Sequence, residues 1–280
     1  MKKLLHIQRS DRPHWVGDGF PVRSIFSYRD LDQEISPFLL MDYAGPTSFA
    51  PSTHRRGVGG HPHRGFETVT IVYSGEVEHR DSTGAGGIIG PGDVQWMTAA
   101  SGLIHEEFHG PNFSKNGGDF EMIQLWVNLP KEFKMTKPRY QGLEDNIIPR
   151  IGSVRVIAGE YLGQKGAANT YSPVNLWDIQ LKANESLVLT VPDGHTSSLF
   201  VLRGEVETDG QKLESSEMGL FERNGTTITL KANVDSKILY LGGEPINEPI
   251  VGYGPFVMNT QKEIGEAFAD YESGKMGRMP

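Results

Sequence analysis

The chain has no cysteine among its 280 residues. That rules out disulfide staples, thiolate chemistry and zinc–thiolate sites. It has no apolar run approaching the eighteen or so residues that span a bilayer as a helix. The start, Met1-Lys2-Lys3-Leu4-Leu5-His6, is basic but lacks the apolar stretch of a signal peptide, and a cytoplasmic location is the expectation. Positive charge is also in short supply. With 27 Lys and Arg against 35 Asp and Glu the net charge is −8, which argues against a direct nucleic-acid surface.

Turn formers are plentiful, with 34 glycines and 17 prolines. They punctuate short β-forming runs and predict an all-β fold. Strands are expected at Phe66–Tyr73, Glu76–Arg80, Gly87–Ile89, Val94–Ala99 and Phe120–Asn128, with Pro91-Gly92-Asp93 as a turn. The stretch 47–60 reads as a loop, and the polar, proline-containing 130–150 as a linker. A second β-rich set runs from Val154 to Gly242. Near the end, Gln261–Tyr271 is a helix candidate with Thr260 as N-cap and Glu263 at capping-box spacing. The reading is two domains, 1–140 and 141–280.

The halves resemble each other weakly. Ile71-Val72-Tyr73-Ser74-Gly75-Glu76-Val77-Glu78 aligns with Phe200-Val201-Leu202-Arg203-Gly204-Glu205-Val206-Glu207. At that offset His61 and His63 fall on Thr190 and Pro192. With one turn shortened, His105 and Glu107 fall on Thr229 and Lys231. No ligand-type residue survives in the second half, which therefore reads as a degenerate copy without a metal site.

Chemistry concentrates in His61-Pro62-His63 and His105-Glu106-Glu107. On a strand, residues i and i+2 share a face. Two such pairs on neighbouring strands supply three imidazoles and one carboxylate to a divalent metal, a set suited to Fe(II), Ni(II), Cu(II), Zn(II) or Mn(II). Glu67 shares parity with His63, and His109 with Glu107; His109 reads as a loop histidine past the strand end. Phe66, Trp96 and Met97 either wall a cavity or are plain core. Arg64 pairs with an acid of the fold or with an anionic substrate.

His61-Pro-His63-Arg-Gly-Phe-Glu-Thr-Val, Pro91-Gly-Asp-Val-Gln-Trp-Met-Thr-Ala and Gly102-Leu-Ile-His105-Glu-Glu107 resemble the pirin family of the cupin superfamily. So do Gly243-Glu-Pro-Ile-Asn-Glu-Pro-Ile-Val and Gly254-Pro-Phe-Val-Met-Asn-Thr, and the resemblance covers nearly the whole chain. It implies two tandem cupin-type antiparallel β-barrels or sandwiches (a bicupin) with a short C-terminal helix. One metal, usually iron, would sit in the N-terminal domain, held by His61, His63, His105 and Glu107. Cupins in general more often use the glutamate at the position of Glu67; the pirin pattern favours Glu107, which would also take a substrate proton as catalytic base. The resemblance further implies quercetin 2,3-dioxygenase-type activity, with dioxygen and a small aromatic substrate. Its other implication is an iron-dependent regulatory protein whose partner is a transcriptional regulator or a metabolic enzyme. A cupin isomerase or sugar-binding protein is admitted by the fold alone, and fold does not fix function.

Overall fold

The computed structural model describes residues 1–10 and 13–279. Its described residues form two compact units, neither contiguous in sequence. The leading unit comprises Arg12–Ser24, Phe38–Asp145 and Ile246–Pro280; the trailing unit comprises Met1–Asp11, Ile25–Pro37 and Asn146–Pro245. Each end of the chain belongs to the unit that contains the other half. The physical reason is strand pairing at one end, where Leu4–Arg9 runs antiparallel to Glu217–Phe221. At the other end it is apolar packing of Phe256, Met258 and Ile264 in a cluster that Ile104 also joins.

The described residues of each unit form a seven-stranded, a four-stranded and a two-stranded antiparallel sheet, the two larger ones in the same order. In the leading unit the large sheet runs Arg139–Leu143, Val94–Thr98, Phe66–Ser74, Gly118–Asn128, Phe38–Phe49, Phe20–Ser27, Pro13–Val16. Its small sheet runs Gly57–His63, Leu103–His109, Val77–Asp81, Gly86–Ile89. The trailing unit repeats this plan, with Thr196–Arg203 where the leading unit has Phe66–Ser74 and Ser186–Thr190 where it has Gly57–His63. The aligned turn glycines Gly75 and Gly204 have φ of 88° and 90°, a region in which a side chain is strained. The fold is thus two open two-layer sandwiches with a C-terminal helix, as the resemblance implies.

Apolar alternation explains the layers. Phe20, Val72 and Phe120 of the large leading sheet pack with Val77 and Ile89 of the small one. In the trailing unit Leu199, Ile238 and Tyr240 pack with Leu189, Val206 and Leu230. The units differ inside. In the leading unit Thr70 lies between Gln95 and Gln124. In the trailing unit the same rung reads Leu199 between Gly219 and Tyr240. A polar interior has become an apolar one.

Two expectations need correction. The stretch 47–60 is not all loop, because one strand extends to Phe49 and the next begins at Gly57. The stretch 130–150 is not all linker either. Arg139–Leu143 is an edge strand of the large sheet, pairing with Val94–Thr98, and an edge strand tolerates the polar composition that suggested a linker. The helix is Gln261–Glu272, and the Thr260 hydroxyl accepts from the Glu263 N–H as expected of an N-cap.

Candidate metal centre

The Gly57–His63 and Leu103–His109 strands pair antiparallel, with His105 opposite His61 and Leu103 opposite His63. A register shift between His105 and Glu107 breaks the ladder where these side chains gather. The His61 and His105 rings lie 4.3 Å apart by centroid, His61 and His63 4.9 Å, and His63 and His105 4.9 Å. One donor atom from each of these three falls within 4.8 Å of the others. A second triad, His79, His105 and Glu107, meets the same criterion and shares His105. The four residues read from the sequence therefore converge as three imidazoles, with Glu107 joined to them through His105.

Hydrogen bonding leaves one bare nitrogen on each ring. His61 Nδ1 donates to the Gly59 carbonyl at 2.9 Å and His63 Nδ1 to the Pro255 carbonyl at 3.2 Å. His105 Nδ1 faces His79, and its Nε2 is buried with no partner among the described residues. A buried imidazole nitrogen without a partner is costly unless something occupies it. That buried nitrogen, with the Nε2 atoms of the neighbouring His61 and His63 and a nearby carboxylate, fits a divalent transition metal. Burial, with His61 nearby, pushes His63 down to about 3, and burial with the neighbouring histidines holds His105 well below its ordinary value. Both stay neutral, as ligands must.

The sign of the pH effect follows. Unfolded His63 takes up a proton near 6.5, whereas the folded residue resists until about 3. The unfolded state thus binds more protons across that window, and stability falls with acidification. Metal-free protein is expected to lose up to about 1.4 kcal/mol per pH unit from this residue between pH 6 and 4. Thermal melts of chelator-treated wild type and His63→Phe, compared across that range, check it: the variant's slope must be shallower.

Glu107 is held by two amides: Gln95 Nε2 donates to Oε1 at 3.2 Å and Gln124 Nε2 to Oε2 at 3.1 Å. Glu67 belongs to neither triad among the described residues. Its carboxyl accepts from the Thr98 hydroxyl at 2.6 Å and lies 3.8 Å from Arg139. Burial pushes it up to about 7. His109 is no loop residue; it ends the Leu103–His109 strand, buried, with Nε2 donating to the Gly19 carbonyl at 2.8 Å and its ring stacked on Phe120. Arg64 is an internal fastener, donating to the Ser101 carbonyl at 2.7 Å and to Asp270 at 2.9 Å. Phe66 contacts His63 edge-on and stacks on Trp126, while Trp96 and Met97 are fully buried.

Sequence reading missed His79 and Tyr140. His79 is fully buried at the centre of Val77–Asp81, opposite Glu107. Its signal was parity, since it shares a strand face with Val77 and Asp81, which are both buried. Tyr140 lies in the stretch read as linker; its ring stacks on His79 at 5.1 Å, and burial followed by the nearby Glu107 and Asp81 pushes its hydroxyl up to about 12.

Comparison with known proteins places this arrangement. The Pirin family matches residues 19–127, and the Pirin C-terminal cupin domain matches 176–277. A Pseudomonas aeruginosa protein named "Putative quercetin 2,3-dioxygenase" is 57% identical over 99% of each chain. Pirin-1 of Arabidopsis thaliana is 39% identical over 93% of this chain and 90% of its own. The crystal structure of a quercetin 2,3-dioxygenase from Acinetobacter baumannii superposes with a TM-score of 0.97 at 54% identity, covering 99% of both chains. No described helix is long and apolar enough to cross a membrane. Matched by both pirin domains and similar to these relatives over nearly its whole length, the chain belongs to the pirin family.

Proposed function

We propose that the protein is a metal-dependent oxygenase, with Fe(II) held by His61, His63, His105 and Glu107, that opens the ring of a flavonol such as quercetin or of a similar enol-bearing aromatic. The observation that carries this reading is the buried, partnerless His105 Nε2 beside two imidazoles whose other nitrogens are engaged. The names borne by the similar proteins supply the substrate class. A metal bound there supplies Lewis-acid polarisation of a substrate oxygen and access for dioxygen.

The chain's own residues do the rest. His61, half-buried where its two partners are buried, marks the open side of the site from which a substrate enters. Phe66 and Trp126, stacked at 4.3 Å, give the wall beside His63 an aromatic character suited to a planar ring. Glu107 is the proton acceptor: a carboxylate oxygen takes the proton of the substrate hydroxyl while Gln95 and Gln124 fix its orientation. The buried His63 and His105 keep that end of the site dry, which strengthens each of these interactions.

Iron-loaded protein is expected to bleach quercetin only in the presence of oxygen, with stoichiometric oxygen uptake. Equal consumption by His61→Ala would remove the triad from the reaction.

A further inference from the structure

His79, His105 and Asp81 are all buried to the point of excluding water, so every proton among them must be accounted for by a neighbour. The accounting starts at Glu107, which as a carboxylate only accepts. The Gln95 amide nitrogen therefore faces it, at 3.2 Å. The other end of that amide, Oε1, accepts from the Tyr140 hydroxyl at 3.4 Å, a contact compatible with that orientation. The second N–H of Gln95 points at His79 Nδ1, 3.2 Å away, so Nδ1 carries the lone pair and Nε2 the hydrogen. His79 Nε2 lies 3.4 Å from Asp81 Oδ2, an acceptor. His105 Nδ1 lies 3.4 Å from the same His79 Nδ1. Two lone pairs would repel there, so His105 Nδ1 bears a hydrogen and shares the acceptor with Gln95. That leaves His105 Nε2 bare.

We infer that His79, with Asp81 behind it, is a positioning residue that fixes which ring nitrogen of His105 is left free for the metal. The inference rests on the reading of His105 as a ligand. Ligating histidines commonly donate their second nitrogen to a carboxylate. Here a second imidazole is inserted between ligand and carboxylate, on the strand next to the ligand's own. Asp81 is itself pinned, since Oδ1 accepts from the Thr83 N–H at 2.8 Å, the Thr83 hydroxyl at 2.6 Å and the Ala85 N–H at 3.2 Å.

The pinning makes Asp81→Asn a sharp test. The asparagine oxygen must stay with the Thr83 and Ala85 donors, so its NH2 faces His79 Nε2. His79 then turns its hydrogen to Nδ1, so that the Gln95 N–H loses the acceptor it had there, and donates to His105 Nδ1, which drives the His105 hydrogen onto Nε2. Nitrogen-15 spectra of metal-free protein should show His105 as the Nδ1–H form in wild type and as the Nε2–H form in Asp81→Asn. Co(II) affinity, read from its visible absorption, should fall about 10–100-fold. His79→Leu should lose as much, and His79→Asn, whose side-chain oxygen sits near the place of Nδ1, should recover most of it. A merely structural role for His79 would leave the tautomer of His105 unmoved. Finding the Nε2–H form in wild type overturns the inference; so does wild-type Co(II) affinity in His79→Leu. If Asp81→Asn does not fold, the two His79 variants decide. Neither readout needs a flavonol, so failure to turn over quercetin would sink the proposed activity and leave this inference standing, whereas unchanged Co(II) affinity in His105→Ala would remove its premise.

Discussion

His63→Ala should weaken metal binding by more than about 100-fold, beyond the 10–100-fold cost of losing a residue that only orients a ligand. His109→Ala should leave the metal content at wild type. Both histidines are buried, and both lie on strands of the small leading sheet. They differ in what their nitrogens meet. His63 engages Pro255 through one nitrogen and turns towards two imidazoles. His109 spends Nε2 on the Gly19 carbonyl and is ringed by Phe20, Phe49, Phe113 and Phe120. Its loss opens an aromatic cavity and should cost about 2–3 kcal/mol of stability, with no effect on the metal beyond that. Elemental analysis of both variants, purified without immobilised nickel, separates the roles. Full metal in His63→Ala would show that the triad is not the site.

Lys134→Met should cost about 4 kcal/mol, an exceptional value for one side chain. Lys134 is 1% exposed, and its Nζ donates to Gly65 O at 2.6 Å, Asn128 Oδ1 at 2.6 Å and Val257 O at 3.0 Å. Three acceptors use up its three donors. Methionine fills the volume but takes the donor from the buried Gly65 and Val257 carbonyls and one of two donors from Asn128 Oδ1, which keeps the Leu129 N–H at 3.0 Å; an unpaired buried acceptor costs about 1–3 kcal/mol. Gly65 follows His63 by two residues, so the variant should also bind metal less tightly. Urea denaturation with and without chelator measures both effects. A loss under 1 kcal/mol would mean that water replaces the ammonium.

Lys134 also shows why part of the molecule was hidden from sequence reading. A lysine in a polar, proline-containing segment looks solvated, because nothing local announces that the distant Gly65 and Val257 carbonyls will join Asn128 around it. Tyr140, six residues on, was lost the same way. The strands and the pairing of the candidate residues were legible because a strand's period of two places His61 with His63 and His105 with Glu107 without knowledge of the fold. The family motifs then supplied the choice of Glu107 over Glu67, and the contacts of Glu67 with Thr98 and Arg139 are consistent with it. His79 sat in a correctly expected strand, but its role depends on a register between neighbouring strands that local pattern does not fix. His109 had ligand parity and failed for a different reason, since the aromatic rings around it come from four separate segments.

The exchanged ends of the chain have a consequence for the order of events during synthesis. His63 Nδ1 is held by Pro255, and the Arg64 and Gly65 that follow it are held by Asp270 and, through Lys134, by Val257. Residues 61–107 thus leave the ribosome well over a hundred residues before the segment that secures their geometry. At about 5–20 residues per second, that is an interval of roughly 7–30 s in which the histidines exist as a nascent, unlocked set. Metal capture by the finished site is therefore a late step, after residues 246–270 have docked, and a chain stalled before them would carry the ligands without the pocket.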